Sequence, residues 1–120
     1  MAVKVSLLIP LGTKLVQDSS ANNTAADHTT GAAGTLYMVE VDNSANSNVV
    51  YFKLADSTDA TAGTTAADIV LRVPASTKMS FAFPTGVAFA NGFSHWCVTG
   101  AAESNTTSPG SAVVVRYVTG

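Results

Sequence analysis

Strand-like alternation is the feature that most constrains this chain. Short runs place an apolar residue at every second position, and clusters of Gly, Ser, Thr, Asn, Asp and Ala separate the runs. Side chains of a strand point alternately to its two faces, so each run predicts a strand with one buried face. The two clearest sets are Val50, Phe52 and Leu54 in the run 49–56 and Met79, Phe81 and Phe83 in the run 78–83.

Two further runs, 35–42 and 112–118, carry apolar residues on both faces. In the first, alternation places Val39 and Val41 on the face opposite Leu36. Helix has little support, because the Ala-rich stretch 18–34 is interrupted by Asn and Gly and lacks a 3.6-residue period. The other expected strands are 4–9, 14–16, 69–73, 87–90 and 94–99.

The pattern predicts one antiparallel β-sandwich domain over residues 1–120, with about eight or nine short strands and no significant helix. Its topology is either jelly-roll or immunoglobulin-like. The expected centre of the core comprises the large apolar residues of the alternating runs, which are Phe52, Leu54, Phe81, Phe83, Val113, Val115 and Tyr117.

Turn residues mark the reversals between these strands. Asn91-Gly92 between two apolar runs predicts a two-residue hairpin, and Pro74–Ser76 and Pro84–Gly86 predict tight reversals. Three connections are much longer, namely 17–34, 57–68 and 100–111. If every connection reverses the chain, these three long connections lie together at one end of the sandwich.

Composition excludes several classes of protein. Only 12% of the residues are charged, the net charge is -2, and the six Lys and Arg residues are scattered, so no basic stripe for nucleic acid exists. No apolar run reaches the length of a membrane helix. The amino terminus lacks the order of a signal peptide, so we expect the product to stay in the cytoplasm where it is made. Cys97 is the single cysteine and cannot form an internal disulfide.

The candidate catalytic residues are few. His95 and Cys97 stand two apart on an expected strand, so they share a face, the minimum geometry for a thiolate and its base. No third orienting group is visible, and Ser94 lies in no Gly-x-Ser-x-Gly turn. We therefore expect Cys97 to be a passive thiol and the protein not to be an enzyme.

Binding sites for ions or sugars have equally thin support. Two His and one Cys are too few for a transition-metal site. Calcium could use Asp42–Ser44 with Asn46, or Asp56 with Asp59, but both groups also fit plain Asx turns. Trp96 could stack on a sugar or a partner, or fill the core. No cofactor is expected.

A set of strand and turn segments between residues 50 and 100 carries a family resemblance. The segments are Tyr51–Asp56, Ala62–Thr65, Leu71–Ala75, Phe83–Phe89, Gly92–Ser94 and Val98–Gly100. They resemble small β-sandwich virion proteins of tailed bacteriophages, especially marine and cyanobacterial phages. The resemblance implies a capsid decoration or cement protein on the capsid surface. Its expected partners are the major capsid protein and copies of itself, as a dimer or trimer. The alternatives are a tail, neck or fibre component acting as an adhesion module, and a carbohydrate-binding module.

The segment 1–16 is unusually apolar for a single edge strand, and Pro10 and Gly12 interrupt it. It forms either two edge strands of the same sandwich or an arm that pairs with a neighbouring subunit, since edge strands carry free backbone groups. The candidate interface residues are Val3, Val5, Leu7, Leu8, Ile9 and Leu11.

Overall fold

A computed structural model describes Val3 and residues 12–120 of the chain. These residues form seven strands and no helix, which confirms the all-β prediction with fewer strands than the eight or nine expected. The expected strand at 4–9 lies outside the described residues. The strands are β1 (Lys14–Ala21), β2 (Gly34–Asp42), β3 (Val50–Asp56), β4 (Ile69–Val73), β5 (Lys78–Phe89), β6 (Phe93–Val98) and β7 (Val113–Thr119).

The strands form two antiparallel sheets, ordered β1-β7-β2-β5 and β4-β3-β6. The sheets pack as a β-sandwich around one apolar core, to which both contribute. Five of the seven predicted core residues are fully buried, namely Phe52, Leu54, Val113, Val115 and Tyr117. Phe81 and Phe83 pack against the core only partly buried, because β5 is an edge strand and leaves one side of each ring open.

A bulge corrects the predicted faces of β2 and the predicted reversal at Pro84–Gly86. Leu36 pairs with Val87 and Met38 pairs with Ala82, so β5 advances five residues while β2 advances two. The chain thus stays in β5, and the residues expected to form a separate strand at 87–90 largely belong to it. The same irregularity turns Leu36 to the core side, with Val39 and Val41.

Asn91-Gly92 does not form a hairpin, because β5 and β6 belong to different sheets. The turn carries the chain across the sandwich, with Gly92 at φ +120°. The Asp56 carboxylate holds this crossing by accepting hydrogen bonds from the backbone N–H groups of Ala90 (2.9 Å) and Asn91 (2.8 Å).

The long connections do not lie at one end, which corrects the prediction that they would. β1 and β2 are both antiparallel to β7, so they run in the same direction, and residues 22–33 must travel the length of the sandwich. Because β3 and β6 are antiparallel, 57–68 leaves one end and 99–112 leaves the other. The prediction fails because it assumes that every connection reverses the chain, and the connection between β1 and β2 does not.

Residues 22–29 travel along the free edge of β6. Ala26 and His95 exchange backbone hydrogen bonds of 2.9 and 3.0 Å, and Cys97 N–H donates to Asn22 O at 2.8 Å. Thr29 N–H donates to Phe93 O at 2.8 Å. The segment therefore extends the three-stranded sheet irregularly and covers the backbone groups that an edge would leave free.

The three segments 22–29, 57–68 and 99–112 converge on the outer face of the three-stranded sheet, and we call them the loop layer. Beneath the layer, Trp96 and Val98 from β6 and Ala55 from β3 form a second small core with Ala60. Asn23 Nδ2 donates to Thr106 O at 3.0 Å and joins two of the segments. The outer face of this sheet is consequently buried at β6 and at Ala55 of β3, whereas Val70 on the edge strand β4 stays exposed.

Candidate functional site

A hydrogen-bonded chain of polar side chains crosses the interior of the sandwich at His95, which is 1% exposed. Its Nε2 lies 2.8 Å from Asp18 Oδ2 on β1, and its Nδ1 lies 2.9 Å from the Tyr117 hydroxyl on β7. The Tyr117 hydroxyl also contacts Thr29 Oγ1, which reaches Phe93 O at 3.0 Å. This series of hydrogen bonds joins the two sheets to each other and, through Thr29, to the loop layer.

The protonation states of these hydrogen-bonded side chains follow from which atoms can donate and which can accept. A carboxylate only accepts, so His95 donates through Nε2–H to Asp18 and its Nδ1 accepts from the Tyr117 hydroxyl. Burial lowers the pKa of His95 below its ordinary value, although the Asp18 hydrogen bond opposes the shift. Burial would raise the pKa of Asp18, but hydrogen bonds from His95 and Ser20 outweigh it and hold that pKa low. A neutral imidazole beside a carboxylate is therefore the favoured state.

His95 and Cys97 share the inner face of β6, as predicted, but they form no thiolate pair. Cys97 is fully buried in the apolar core, and burial raises the pKa of its thiol. Ser94 points to the opposite face, where its hydroxyl donates to Ser57 O and accepts from His28 N–H. The Asp18–His95–Tyr117 chain resembles a catalytic relay in composition only, because a reacting group also needs access to its substrate.

The two calcium candidates use their oxygens as turn acceptors. Asp42 accepts from Ser44 N–H at 3.0 Å, and Asn43 Oδ1 accepts from Asn46 Nδ2 at 2.9 Å. Asn46 Oδ1 accepts from Ser111 N–H, and both carboxylate oxygens of Asp56 accept from backbone N–H groups. Within residues 12–120 and Val3, no three His, Cys, Asp or Glu side chains cluster in a metal-binding arrangement.

Trp96 is 1% exposed and cannot serve as a sugar platform on this surface. It lines a cavity of about 110 Å³ between β3, β6 and the loop layer, together with Lys53 and Glu103. Lys53 is buried, and its Nζ donates to Ala102 O at 2.8 Å. Burial lowers the pKa of Lys53, and the nearby Glu103 opposes that shift. The lysine thus ties β3 to the loop layer.

A wider cleft of about 420 Å³ opens where the three segments of the loop layer meet. Thr24, Thr61 and Thr106 are its exposed hydroxyl-bearing residues, one from each segment, and Asp27 is its single charged residue. The Asp27 carboxylate is already engaged with Ala60 N–H at 2.9 Å. The outer surface of the loop layer is accordingly rich in hydroxyl groups, and its exposed charged residues are all acidic, namely Asp27, Asp59, Asp68 and Glu103.

No described residue covers the outer face of the four-stranded sheet in this way, and we call it the bare face. Three of the five exposed large apolar side chains in the described part of the chain lie on it: Leu15 (55% exposed), Met38 (36%) and Val114 (37%). The other two are Val70 on β4 and Val3. Sequence reasoning did not single out this face, because only the pairing register shows which exposed residues are neighbours.

Of the six candidate interface residues near the amino terminus, the structure describes only Val3, which is 68% exposed. Val5, Leu7, Leu8, Ile9 and Leu11 lie outside the described residues, so their role as an arm stays a prediction. The first described residues that follow them, Gly12 and Thr13, lie beside the end of β7, where Thr13 N–H donates to Thr119 O at 2.9 Å.

Comparisons with protein-family models, with curated proteins and with solved structures find no match to this chain. In the described part of the chain, no helix is long and apolar enough to cross a membrane.

Proposed function

We propose that this protein is a non-enzymatic structural protein of a virion, a capsid decoration protein on the head of a tailed phage. Its partners are the major capsid protein and further copies of itself. The proposal combines the family resemblance of residues 50–100 with the surfaces described above. It requires two separate binding surfaces on one small domain, one for the capsid and one for a neighbouring copy.

Strand order supports a jelly-roll arrangement. When residues 22–29 are counted as a strand beside β6, each sheet has four strands. Their orders are then β1-β7-β2-β5 and β4-β3-β6-(22–29), which is the strand order of a jelly roll. Jelly rolls occur in viral capsid and lectin domains, so the fold is compatible with both leading functions. Fold alone does not choose between them, because function resides in the surfaces.

The observation that carries the proposal is the contrast between the two outer faces. The loop layer presents a surface of hydroxyl groups and a few acidic side chains, and hydrogen bonds between its segments brace it, such as Asn23 Nδ2 to Thr106 O. A braced surface loses little conformational entropy on binding, which favours contact with a fixed partner. We assign the loop layer to the capsid contact. A sugar-binding adhesion module is less well supported, because Trp96 lies beneath the layer.

Copy number tests the assignment to the head. Quantitative mass spectrometry of purified particles should find hundreds of copies of this chain for a decoration protein. A few to a few dozen copies would place it in the tail, neck or fibre, and absence from the particle would overturn a virion role.

Charge insertion tests the loop layer as the capsid contact. Thr24→Arg and Thr61→Arg each place a cation at an exposed position of this surface, whose own charged residues are acidic. They should weaken binding to bare capsids at least ~10-fold, since a mismatched charge is costly at an interface. Thr85→Arg, at an exposed position of the β5 bulge, is the matched control and should bind normally. Normal capsid binding by both loop variants would contradict the assignment.

A further inference from the structure

Cross-strand pairing orders the bare face into rows. Leu15 pairs with Val118, Val118 with Met38, and Met38 with Ala82, so four apolar residues cross the sheet in one line. Directly next to this apolar row lies a polar row, in which Gln17, Arg116, Glu40 and Ser80 pair in the same strand order. The two rows together cover the centre of the face.

The polar row is self-complementary. Arg116 lies on β7 and Glu40 on β2, and these two strands are the central pair of the sheet. A two-fold axis that runs parallel to the strands between β7 and β2 exchanges β7 with β2 and β1 with β5. It places Arg116 of each copy opposite Glu40 of the other, and Val118 opposite Met38. The apolar row therefore meets itself, and the two charges of the polar row, Arg116 and Glu40, meet their opposites.

Other ways of stacking this face on itself fit less well. A two-fold axis in the same plane but perpendicular to the strands reverses their direction and does not exchange the strands. When it is centred on the polar row, it places Arg116 against Arg116 and Glu40 against Glu40. Sheets that pack face to face keep their strands within about 30° of each other, which the parallel axis allows.

We propose that the bare face binds the same face of a second copy of this chain, with the two-fold axis parallel to the strands between β7 and β2. This dimer rests on the proposed function, which already requires contacts between copies, and it adds the surface and symmetry. Two of the large apolar side chains that are exposed in the single chain become buried there, namely Leu15 and Met38. Val114 pairs with Asp42 in the next row, so each copy places it opposite Asp42 of the other.

The size of the face sets the strength of the dimer. Four strands about 4.8 Å apart and about six residues long at roughly 3.3 Å per residue cover on the order of 400 Å² of projected surface per copy. Standard stable interfaces bury about 800 Å² per partner, so this contact is of the weak class. It forms at high protein concentration in solution and is reinforced where a particle holds copies side by side.

Charge reversal with mixing tests the dimer. Glu40→Arg leaves the polar row with two cations and also removes the partner of Lys78, whereas Arg116→Glu leaves the row with two anions. Each variant should dimerise at least ~10-fold more weakly than wild type. An equal mixture of the two should form heterodimers, because each Arg again meets a Glu. Sedimentation equilibrium on the single variants and native mass spectrometry on the mixture measure both effects.

Arg72→Glu on β4 and Glu103→Arg in the loop layer are matched controls, because both are exposed charges away from the bare face. Both should dimerise like wild type, and normal thermal melting of every variant shows that it is folded. Restored pairing in the mixture supports the intermolecular contact, because Arg116 and Glu40 are also neighbours within one chain, where mixing restores nothing.

The result that overturns the dimer is a wild-type chain that stays monomeric at millimolar concentration, or single variants that dimerise normally. A monomeric wild type whose capsid binding falls with Arg116→Glu would assign the bare face to the capsid instead. Loss of the dimer proposal leaves the copy number in particles unaffected, whereas a tail-like copy number with an intact dimer overturns only the proposed function.

Discussion

The two outer faces of this sandwich differ in what covers them. The loop layer buries the outer residues Trp96 and Val98 of the three-stranded sheet as fully as the central core, and only its edge strand β4 exposes a large apolar residue, Val70. The four-stranded sheet is buried on one side only and exposes Leu15 and Met38 on the other. Within the described residues, the chain covers the outer face of one sheet with its own loops and leaves these side chains on the other sheet exposed.

This contrast shows that apolar alternation in a sequence does not indicate which part of the molecule covers a strand, or whether its second face is covered at all. Val98 is buried under Ala-rich loops that carry little apolar signal of their own, whereas Val114 on β7 stays exposed. Small side chains such as Ala60 and Ala62 suffice because the layer lies close against the sheet. A Thr/Ala-rich connection is therefore compatible with ordered packing as well as with a mobile loop.

The largest expected effect on stability tests whether the loop layer packs tightly over the three-stranded sheet. Trp96→Ala should lower the free energy of unfolding by about 3–5 kcal/mol, the cost of a large buried cavity. Leu15→Ala on the bare face of the isolated chain should change it by no more than about 0.5 kcal/mol. Urea unfolding of dilute protein measures both, and a loss below about 1 kcal/mol for Trp96→Ala would contradict the second core.

Protonation of the buried His95 should have the next largest effect on stability. Because the pKa of His95 is lowered in the folded state, its ordinary value of 6.5 belongs to the unfolded chain, which binds the proton first as pH falls. The free energy of unfolding should not depend on His95 above about pH 7, and it should fall by at most about 2 kcal/mol between pH 6.5 and 5. His95→Gln should flatten this slope, and His28→Gln, at an exposed position, should keep it. Equal slopes in both variants would refute the assignment to His95.

A smaller effect concerns the lysine under the loop layer. Lys53→Met removes a buried ammonium whose pKa is lowered by burial, and it keeps most of the volume, so stability should stay equal or rise by about 1 kcal/mol. Lys78→Met on the bare face removes an exposed ion pair with Glu40 and should change stability by less than about 0.5 kcal/mol. Thermal melting compares the two, and a loss above about 2 kcal/mol for Lys53→Met would show that the charge itself is needed.

The smallest effect is an absence of reaction. Cys97 is fully buried with a raised pKa, so a soluble thiol reagent should label it only at the rate at which the sandwich opens. Labelling should become complete in denaturant. Fast labelling of the folded chain would show that the inner face of β6 is open to solvent.

Local pattern predicted most of the fold. Alternation located β2, β3, β4, β6 and β7 within a few residues, because a half-buried strand leaves a period of two in any sequence, but it divided β5 into two strands at Pro84–Gly86. It failed where a backbone irregularity changes the period, as between Leu36 and Met38. It also failed at Asn91-Gly92, whose turn chemistry is the same whether the next strand pairs or crosses to the other sheet.

The candidate sites were harder to predict because their residues are distant in sequence. His95 was visible, but its partner Asp18 is 77 residues away and Tyr117 is 22 residues away. The row that joins Leu15, Val118 and Met38 exists only through the registers of β1 and β2 with β7. Sheet order is a long-range property, and no local signal in this sequence determines it.

Footprinting of side chains at two protein concentrations tests the unequal faces most directly. Hydroxyl radicals should oxidise Met38 in dilute protein, and its oxidation should fall at high concentration as the bare face becomes covered. Val70, exposed on β4 of the other sheet, should react equally at both concentrations, and Trp96 should be protected at both. Met38 oxidation that is independent of concentration, or rapid oxidation of Trp96 in the folded chain, would contradict the account.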